Sequence, residues 1–209
     1  MSPRPRAVTD AAILAATRRV VSRLGPNLTL ADVGREAGVS PATLVQRFGS
    51  KRGLLLAFAA AGAAGMGAEF ERLRRGQRSP LATVAAVADC VAAMAATPET
   101  LSNSLAFLQI DLVDPEFHAH ALAHSKAMHA EIKRLLDEAV RTHELEKCDT
   151  SRLARAAQAL IGGALLQWAI DREGRSTDRL REDLDTLLRP RHCPPRDRRR
   201  HPRRNVRRM

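Results

Sequence analysis

The 209-residue sequence predicts an all-α fold, on three observations. Alternating runs of Val, Ile and Thr, the mark of a half-buried strand, are absent, while alanine, leucine and arginine recur at spacings of three and four. Hydroxyl or carboxylate residues before apolar runs, and glycine or proline after them, recur at intervals that suit helix starts and stops. With 44% apolar residues the chain is long enough to bury one or two cores.

A first helix is expected from about Asp10 to Leu24, capped by Thr9 or Asp10. Its apolar stripe is Ile13, Leu14, Thr17, Val20, Val21 and Leu24, and Gly25-Pro26 stops it. Two short helices follow. A longer helix is then expected from about Lys51 to Arg75, and Ser79-Pro80 opens another that reaches Thr97. Pro98 and Pro115 punctuate the next two. No glycine or proline interrupts residues 116–145, which allows about 30 helical residues, roughly 45 Å. Asp149-Thr150-Ser151 caps a helix to about Arg172, and Gly174 with Ser176-Thr177 separates it from a last one ending near Leu188. Beyond Pro190 the Arg-Pro-His composition predicts disorder.

The two short helices carry the main signal. Thr29 caps the first, Asp32 stands where its carboxylate can reach back, and Leu28 and Val33 occupy the flanking staple positions. Ser40 repeats the design with Pro41 at the first helical position and Val39 and Leu44 as staple partners. Gly38 between them fits a left-handed helix terminus. Helix, glycine turn and second capped helix over residues 29–48 is the helix-turn-helix pattern, whose second helix enters the major groove of DNA. Leu44 and Phe48 face inward there, leaving Ala42, Thr43, Gln46 and Arg47 outward. Gln bridges adenine N6 and N7, Thr and Ala methyls meet thymine, and Arg meets guanine or phosphate. Lys51 and Arg52 open the next helix, where the dipole disfavours cations, so Lys51 reads as a phosphate contact.

The run Thr29-Leu-Ala-Asp-Val-Gly-Arg-Glu-Ala-Gly-Val-Ser-Pro-Ala-Thr-Leu44, followed by Phe48-Gly-Ser-Lys51 and Leu54-Leu55, resembles the DNA-binding domain of the TetR family of bacterial transcriptional regulators. The likeness covers about residues 6–66, and the stretch Leu160-Ile-Gly-Gly-Ala-Leu-Leu-Gln-Trp168 resembles that family's penultimate, dimer-forming helix. It implies a helix-turn-helix DNA-binding domain over 6–66 and a ligand-binding and dimerisation bundle over 67–188, which leaves the disordered Arg-rich tail read from composition over 189–209. It also implies a sequence-specific regulator, most often a repressor, released from a near-palindromic operator by a small hydrophobic effector. The DNA-binding residues it implies are Thr29, Ser40, Pro41, Ala42, Thr43, Val45, Gln46, Arg47 and Lys51. Many members carry a phosphate-touching tyrosine at the position of Val45, whereas this chain has no tyrosine.

Charge is unevenly laid out. Residues 1–58 carry 9 basic and 3 acidic side chains, residues 59–188 carry 15 and 19, and residues 189–209 carry 10 and 1. Basic ends thus flank a mildly acidic middle, as a polyanion-binding head and a cationic tail require. In the middle, Leu153, Ala157, Leu160, Ile161, Ala164 and Trp168 share one helical face, and Gly162-Gly163 permits close approach, so this face is expected to pair with a second copy. Met66, Phe70, Met94, Phe107, Phe117 and Trp168 are the large soft side chains available to an apolar effector pocket. His120 and His124 have a metal-compatible spacing but no clear partner, and are expected to bind no metal. The widely separated Cys90, Cys148 and Cys193 form no disulfide framework. No nucleophile elbow, phosphate loop or zinc motif is present, so neither catalysis nor a cofactor is expected. Without a signal-peptide core, and with the uncharged stretch Leu54–Ala68 only 15 residues long, a cytoplasmic protein with no membrane span is expected. An Arg-rich RNA-binding or scaffold protein is the competing reading, and removal of the tail separates the two.

Overall fold

The computed structural model describes residues 8–191, and every regular element among them is helical. In chain order the helices are α1 (Asp10–Leu24), α2 (Leu30–Ala37), α3 (Pro41–Phe48), α4 (Lys51–Ala64), α5 (Met66–Arg74), α6 (Pro80–Met94), α7 (Pro98–Val113), α8 (Pro115–Arg141), α9 (Thr150–Asp171) and α10 (Ser176–Leu188). Most begin as their sequences dictate. Thr9, Ser40, Ser50, Ser79, Thr97, Asp114 and Asp149 each accept a hydrogen bond from a first-turn backbone N–H, which satisfies a donor the helix cannot. At α10 no side chain caps the start: Arg175 stands at the cap position without a side-chain bond, and Ser176 is buried in the first turn.

Several boundaries differ from expectation for local reasons. The helix expected over Lys51–Arg75 is two helices bent by 48° at Gly65. Gly62, Gly65 and Gly67 lower helix propensity together at that point. The helix opened by Ser79-Pro80 ends at Met94, before Pro98. The long helix stops at Arg141 after 27 residues, where the chain turns through His143 at φ 61°. Of the Arg-rich tail only Arg189–Arg191, a short 3-10 turn, is described. The disorder expected beyond Pro190 and the position of Cys193 lie outside the described residues.

Two apolar clusters hold the molecule. In the first, Ile13 and Val20 of α1, Leu28, Val33 of α2, Leu44 of α3 and Leu54 of α4 are fully buried together. In the second, Met66 and Phe70 of α5, Val84 and Val87 of α6, Ile132, Leu135 and Leu136 of α8, Leu153, Ile161 and Leu165 of α9 and Leu180 and Leu184 of α10 form the body core. Helix α4 joins the two by packing on both α1 and α8. By length and composition α9 could cross a membrane, as could α4 with α5 and α6 with α7 if each bent pair were one span; the expectation from Leu54–Ala68 overlooked α9. Here the apolar positions of α9 lie against its neighbours in the body.

Head and body are fastened by polar contacts. Arg52 at the start of α4 donates to both carboxylate oxygens of Asp114 at 2.8 and 2.9 Å, to Glu116, and lies 5.5 Å from the centre of the Phe117 ring. That guanidinium, with the Glu116 and Phe117 backbone N–H groups, holds the Asp114 carboxyl below its ordinary range. On the other side Asn103 of α7 donates to the carbonyls of Ser22 and Arg23 at 3.0 and 2.9 Å.

Candidate nucleic-acid interface

The α2–α3 unit is built by local chemistry. The Thr29 N–H donates to Asp32 Oδ2 at 2.9 Å and the Asp32 N–H donates to Thr29 Oγ1 at 3.2 Å, a complete reciprocal cap. The Thr29 hydroxyl, donating to Asp32 Oδ2 at 2.6 Å, and then the Thr29 backbone N–H hold the Asp32 carboxyl below its ordinary value. After α2 the chain turns through Gly38 at φ 70°, a left-handed conformation that costs a side-chain-bearing residue about 1–2 kcal/mol. The Val39 N–H donates back to the Gly34 carbonyl at 2.9 Å, closing the turn. Ser40 Oγ then accepts from the Thr43 N–H at 3.1 Å, and Pro41 supplies a first helical residue that needs no acceptor.

Helix α3 has one fully buried side chain, Leu44, with Phe48 half-buried beside it. Pro41, Ala42, Val45, Gln46 and Arg47 are exposed, and Thr43 is half-buried with its hydroxyl 2.9 Å from that of Ser40. Of the outward polar residues, Gln46 alone makes no side-chain hydrogen bond among the described residues. Arg47 turns back to the start of α1, donating to the Val8 carbonyl and to Asp10 Oδ1 at 3.2 Å. Lys51 Nζ donates to the Pro26 carbonyl at 2.8 Å. The two cations assigned to DNA from sequence are therefore latched to the head itself in the free protein. No sequence rule signals this, because the partners lie 39 and 25 residues away. Replacement of Ser40 by alanine is expected to lower stability by about 1 kcal/mol, read as a shift in the denaturant midpoint, and to weaken DNA binding in parallel.

In the body, the residues grouped for a pocket are dispersed, which corrects that expectation. Met66 and Phe70 are buried in the body core, Phe117 lies in the head core with Phe107 packed against it, and Met94 is 49% exposed. Trp168 is buried and its Nε1 donates to the Gly174 carbonyl at 3.2 Å. Large soft side chains are the first to be claimed by any core, so their presence did not mark a cavity. Two surface grooves among the described residues are lined by none of the six. One is bordered by Pro26, Ala106, Gln109, Ile110, Leu112 and Val113. The other lies between α9 and α10, with Leu160, Gly163, Ala164 and Gln167 facing Asp183 and Leu187.

The pairing face needs a similar correction. Leu153, Ala157, Ile161 and Trp168 are buried within the protomer and offer no surface to a second copy, whereas Leu160 and Ala164 border the α9–α10 groove. Gly162 and Gly163 face open space, with no atom within 4 Å of where a side chain would begin. One apolar stripe was legible, but its owner is the protomer's own core; the outward face is turned by about a third of a helix.

His124 on α8 lies beside Gly62 of α4, within the field of Asp111 from α7 and Arg18 from α1. Burial pushes its imidazole below the ordinary 6.5, and burial pushes the Asp111 carboxyl above 3.8. Below pH 6.5 the unfolded chain takes up a proton at this histidine before the folded chain does, so stability falls on acidification. The Asp111 effect has the opposite sign, because its raised carboxyl takes up a proton in the folded chain before the unfolded chain does. The denaturation midpoint should therefore drop between pH 7 and pH 5.5, and drop less in His124→Gln.

A small capped helical head presenting one exposed helix, joined to an all-helical body, defines a helix-turn-helix DNA-binding transcriptional regulator. Residues 13–58 match the family described as bacterial regulatory proteins of the tetR family, and residues 81–191 match the BetI-type transcriptional repressor C-terminal domain. The chain belongs to the TetR family. Solved structures agree. A TetR transcriptional regulator from Streptomyces coelicolor superposes with a TM-score of 0.65 at 21% identity, covering 90% of this chain and 100% of that one. A TetR transcription regulator from Haloarcula marismortui gives 0.66 at 16%, covering 88% and 97%. FadR from Bacillus subtilis, solved in complex with stearoyl-CoA, gives 0.63 at 17%, covering 88% and 100%. No curated protein matches the sequence.

Proposed function

We propose that the protein is a homodimeric repressor that holds a near-palindromic operator and is released from it by a small apolar effector. The observation that carries this reading is α3 itself: a capped helix whose exposed face offers Ala42, Val45 and an unengaged Gln46. Gln46 reads adenine, and Ala42 and Val45 supply apolar contact to thymine methyls. Val45 therefore contributes base contact where relatives place a phosphate-binding tyrosine. Thr29, Ser40, Pro41 and Thr43 fix the starts of the two helices, the hydroxyls of Ser40 and Thr43 meet phosphate, and Arg47 and Lys51 exchange their present acceptors for phosphate oxygens.

The head spans residues 6–66, the body 67–188, and a second copy seats on the α9–α10 groove, against Leu160, Gly163, Ala164 and Leu187. The effector enters along α4, where Ala57–Ala60, Gly62 and Ala63 are half-buried and the helix packs on α8. The protein acts in the cytoplasm, on the nucleoid, with no catalytic step, metal or cofactor. Electrophoretic mobility shift with genomic fragments around the protein's own gene tests the reading. A fragment retained at physiological salt against competitor DNA, and released by an apolar compound that raises the melting temperature, is the expected result. Loss of all sequence preference would overturn it.

A further inference from the structure

The turn between α1 and α2 and one face of α7 border an open groove of about 650 Å³, within the size range of small-molecule sites. Pro26 forms one wall and Ala106, Ile110, Leu112 and Val113 the other, and Gln109 is the only polar side chain among the lining residues. The walls are fixed to each other. Asn103 of α7 holds the carbonyls of Ser22 and Arg23, and a side chain begun at Gly25 would meet Asn103 Oδ1 at 2.8 Å, so the turn seats this closely only with glycine there. Ile110 packs on the head core, while Leu112 and Val113 stand 65% and 81% exposed. With Pro26 they leave an apolar strip in water that runs about 10 Å along α7.

The strip has a cation beside it. Lys51 Nζ donates at 2.8 Å to the carbonyl of Pro26, the residue that forms the first wall, and has no carboxylate partner among the described residues. Arg52, the next residue, is bound to Asp114 and Glu116, and Asp114 directly follows Val113. The carboxylates that follow the strip are therefore neutralised, whereas the Lys51 ammonium bonds only a neutral carbonyl. An anionic oxygen is a better acceptor for an ammonium, by about twofold. It also offsets the repulsion between that cation and the N-terminus of α4. Aliphatic side chains beside an unpaired ammonium are complementary to an aliphatic chain that ends in a carboxylate. A neutral hydrocarbon leaves the ammonium unused, and the lining offers no aromatic face for a ring to stack on.

We propose that this groove binds an unbranched aliphatic carboxylate, with its chain along Ile110, Leu112 and Val113 and its carboxylate on Lys51 in place of the Pro26 carbonyl. None of the α4 residues 57–63 lines it, so it is distinct from the effector path along that helix. Because Lys51 is also the proposed phosphate contact, occupant and operator use one ammonium and exclude each other; this consequence, unlike the binding, rests on the regulator reading. Isothermal titration of the full chain with dodecanoate, without DNA and below micelle formation, tests the binding. One dodecanoate per chain is expected, with dodecanol bound about tenfold more weakly. Lys51→Met, with circular dichroism unchanged, should weaken dodecanoate about tenfold or more and leave dodecanol unaffected. Leu112→Glu, at an exposed position, should weaken dodecanoate as far while keeping the melting temperature and the operator affinity. Absence of dodecanoate binding, equal binding of dodecanol, or affinity undiminished in either variant overturns the site. So does retention on anionic phospholipid vesicles without binding of the free carboxylate, which would make the strip a membrane contact. In a separate mobility shift, dodecanoate should release the operator from the unaltered chain and not from Leu112→Glu. An operator held equally with and without bound dodecanoate overturns the shared use of Lys51. Failure of all operator recognition counts against the regulator reading and not against the titration, which contains no DNA.

Discussion

Leu44→Ala is expected to lower the stability of the head by about 2–5 kcal/mol and to abolish operator binding while the body stays folded. The size follows from complete burial: Leu44 is 0% exposed among Ile13, Val20, Leu28, Val33 and Leu54. The functional consequence follows from its being the only fully buried side chain of an eight-residue helix. Without it, Phe48 and the Ser40 cap must orient α3 alone, and groove readers lose energy steeply when displaced. Differential scanning calorimetry should show the head transition lowered or lost, with the body transition preserved. An unaltered mobility shift would show that α3 is positioned by something other than this contact.

If the protein pairs as proposed, Gly163→Arg is expected to leave it monomeric and reduce operator affinity by about 10²–10⁴, because each half-site must then be held without the other. Gly163 lies in the α9–α10 groove and a side chain begun there meets no atom within 4 Å, so the protomer itself tolerates the change. A partner seated on the groove does not. Sedimentation equilibrium reads the mass and circular dichroism checks the fold. Ile161→Arg is the contrasting variant: it buries a charge in the protomer core and should unfold the body outright. Dimeric, fully folded Gly163→Arg protein would move the pairing face elsewhere.

The parts legible in the sequence were those governed by contacts three or four residues apart. Thr29 with Asp32 and Ser40 with Thr43 are local bonds, so the start of each helix-turn-helix helix follows from residue type and spacing. Positions that depend on distant partners were not legible. Arg47 is exposed and Lys51 half-buried, and their present acceptors, Val8, Asp10 and Pro26, lie outside their own helices. Phe117 begins the long helix of the body but completes the core of the head, because Arg52 and the Asp114 cap bring the start of α8 beneath α4. The stripe on α9 was read correctly as apolar, but periodicity does not say which neighbour covers it. The break at Gly65 had a signal, three glycines in six residues, that the apolar run around it obscured.

The unbroken length of α8 gives the molecule a mechanical ratio. A rod of about 40 Å turned by about 5° at one end carries the other through roughly 3.5 Å, close to the spacing of successive base pairs. In the proposed homodimer, a rearrangement in the body too small to disturb any helix would therefore throw the two heads out of step with half-sites one turn of DNA apart. With the Asp114 end clasped to Arg52 and Asn103 pinning α7 to α1, that displacement is passed to the head as a whole rather than absorbed in a loop.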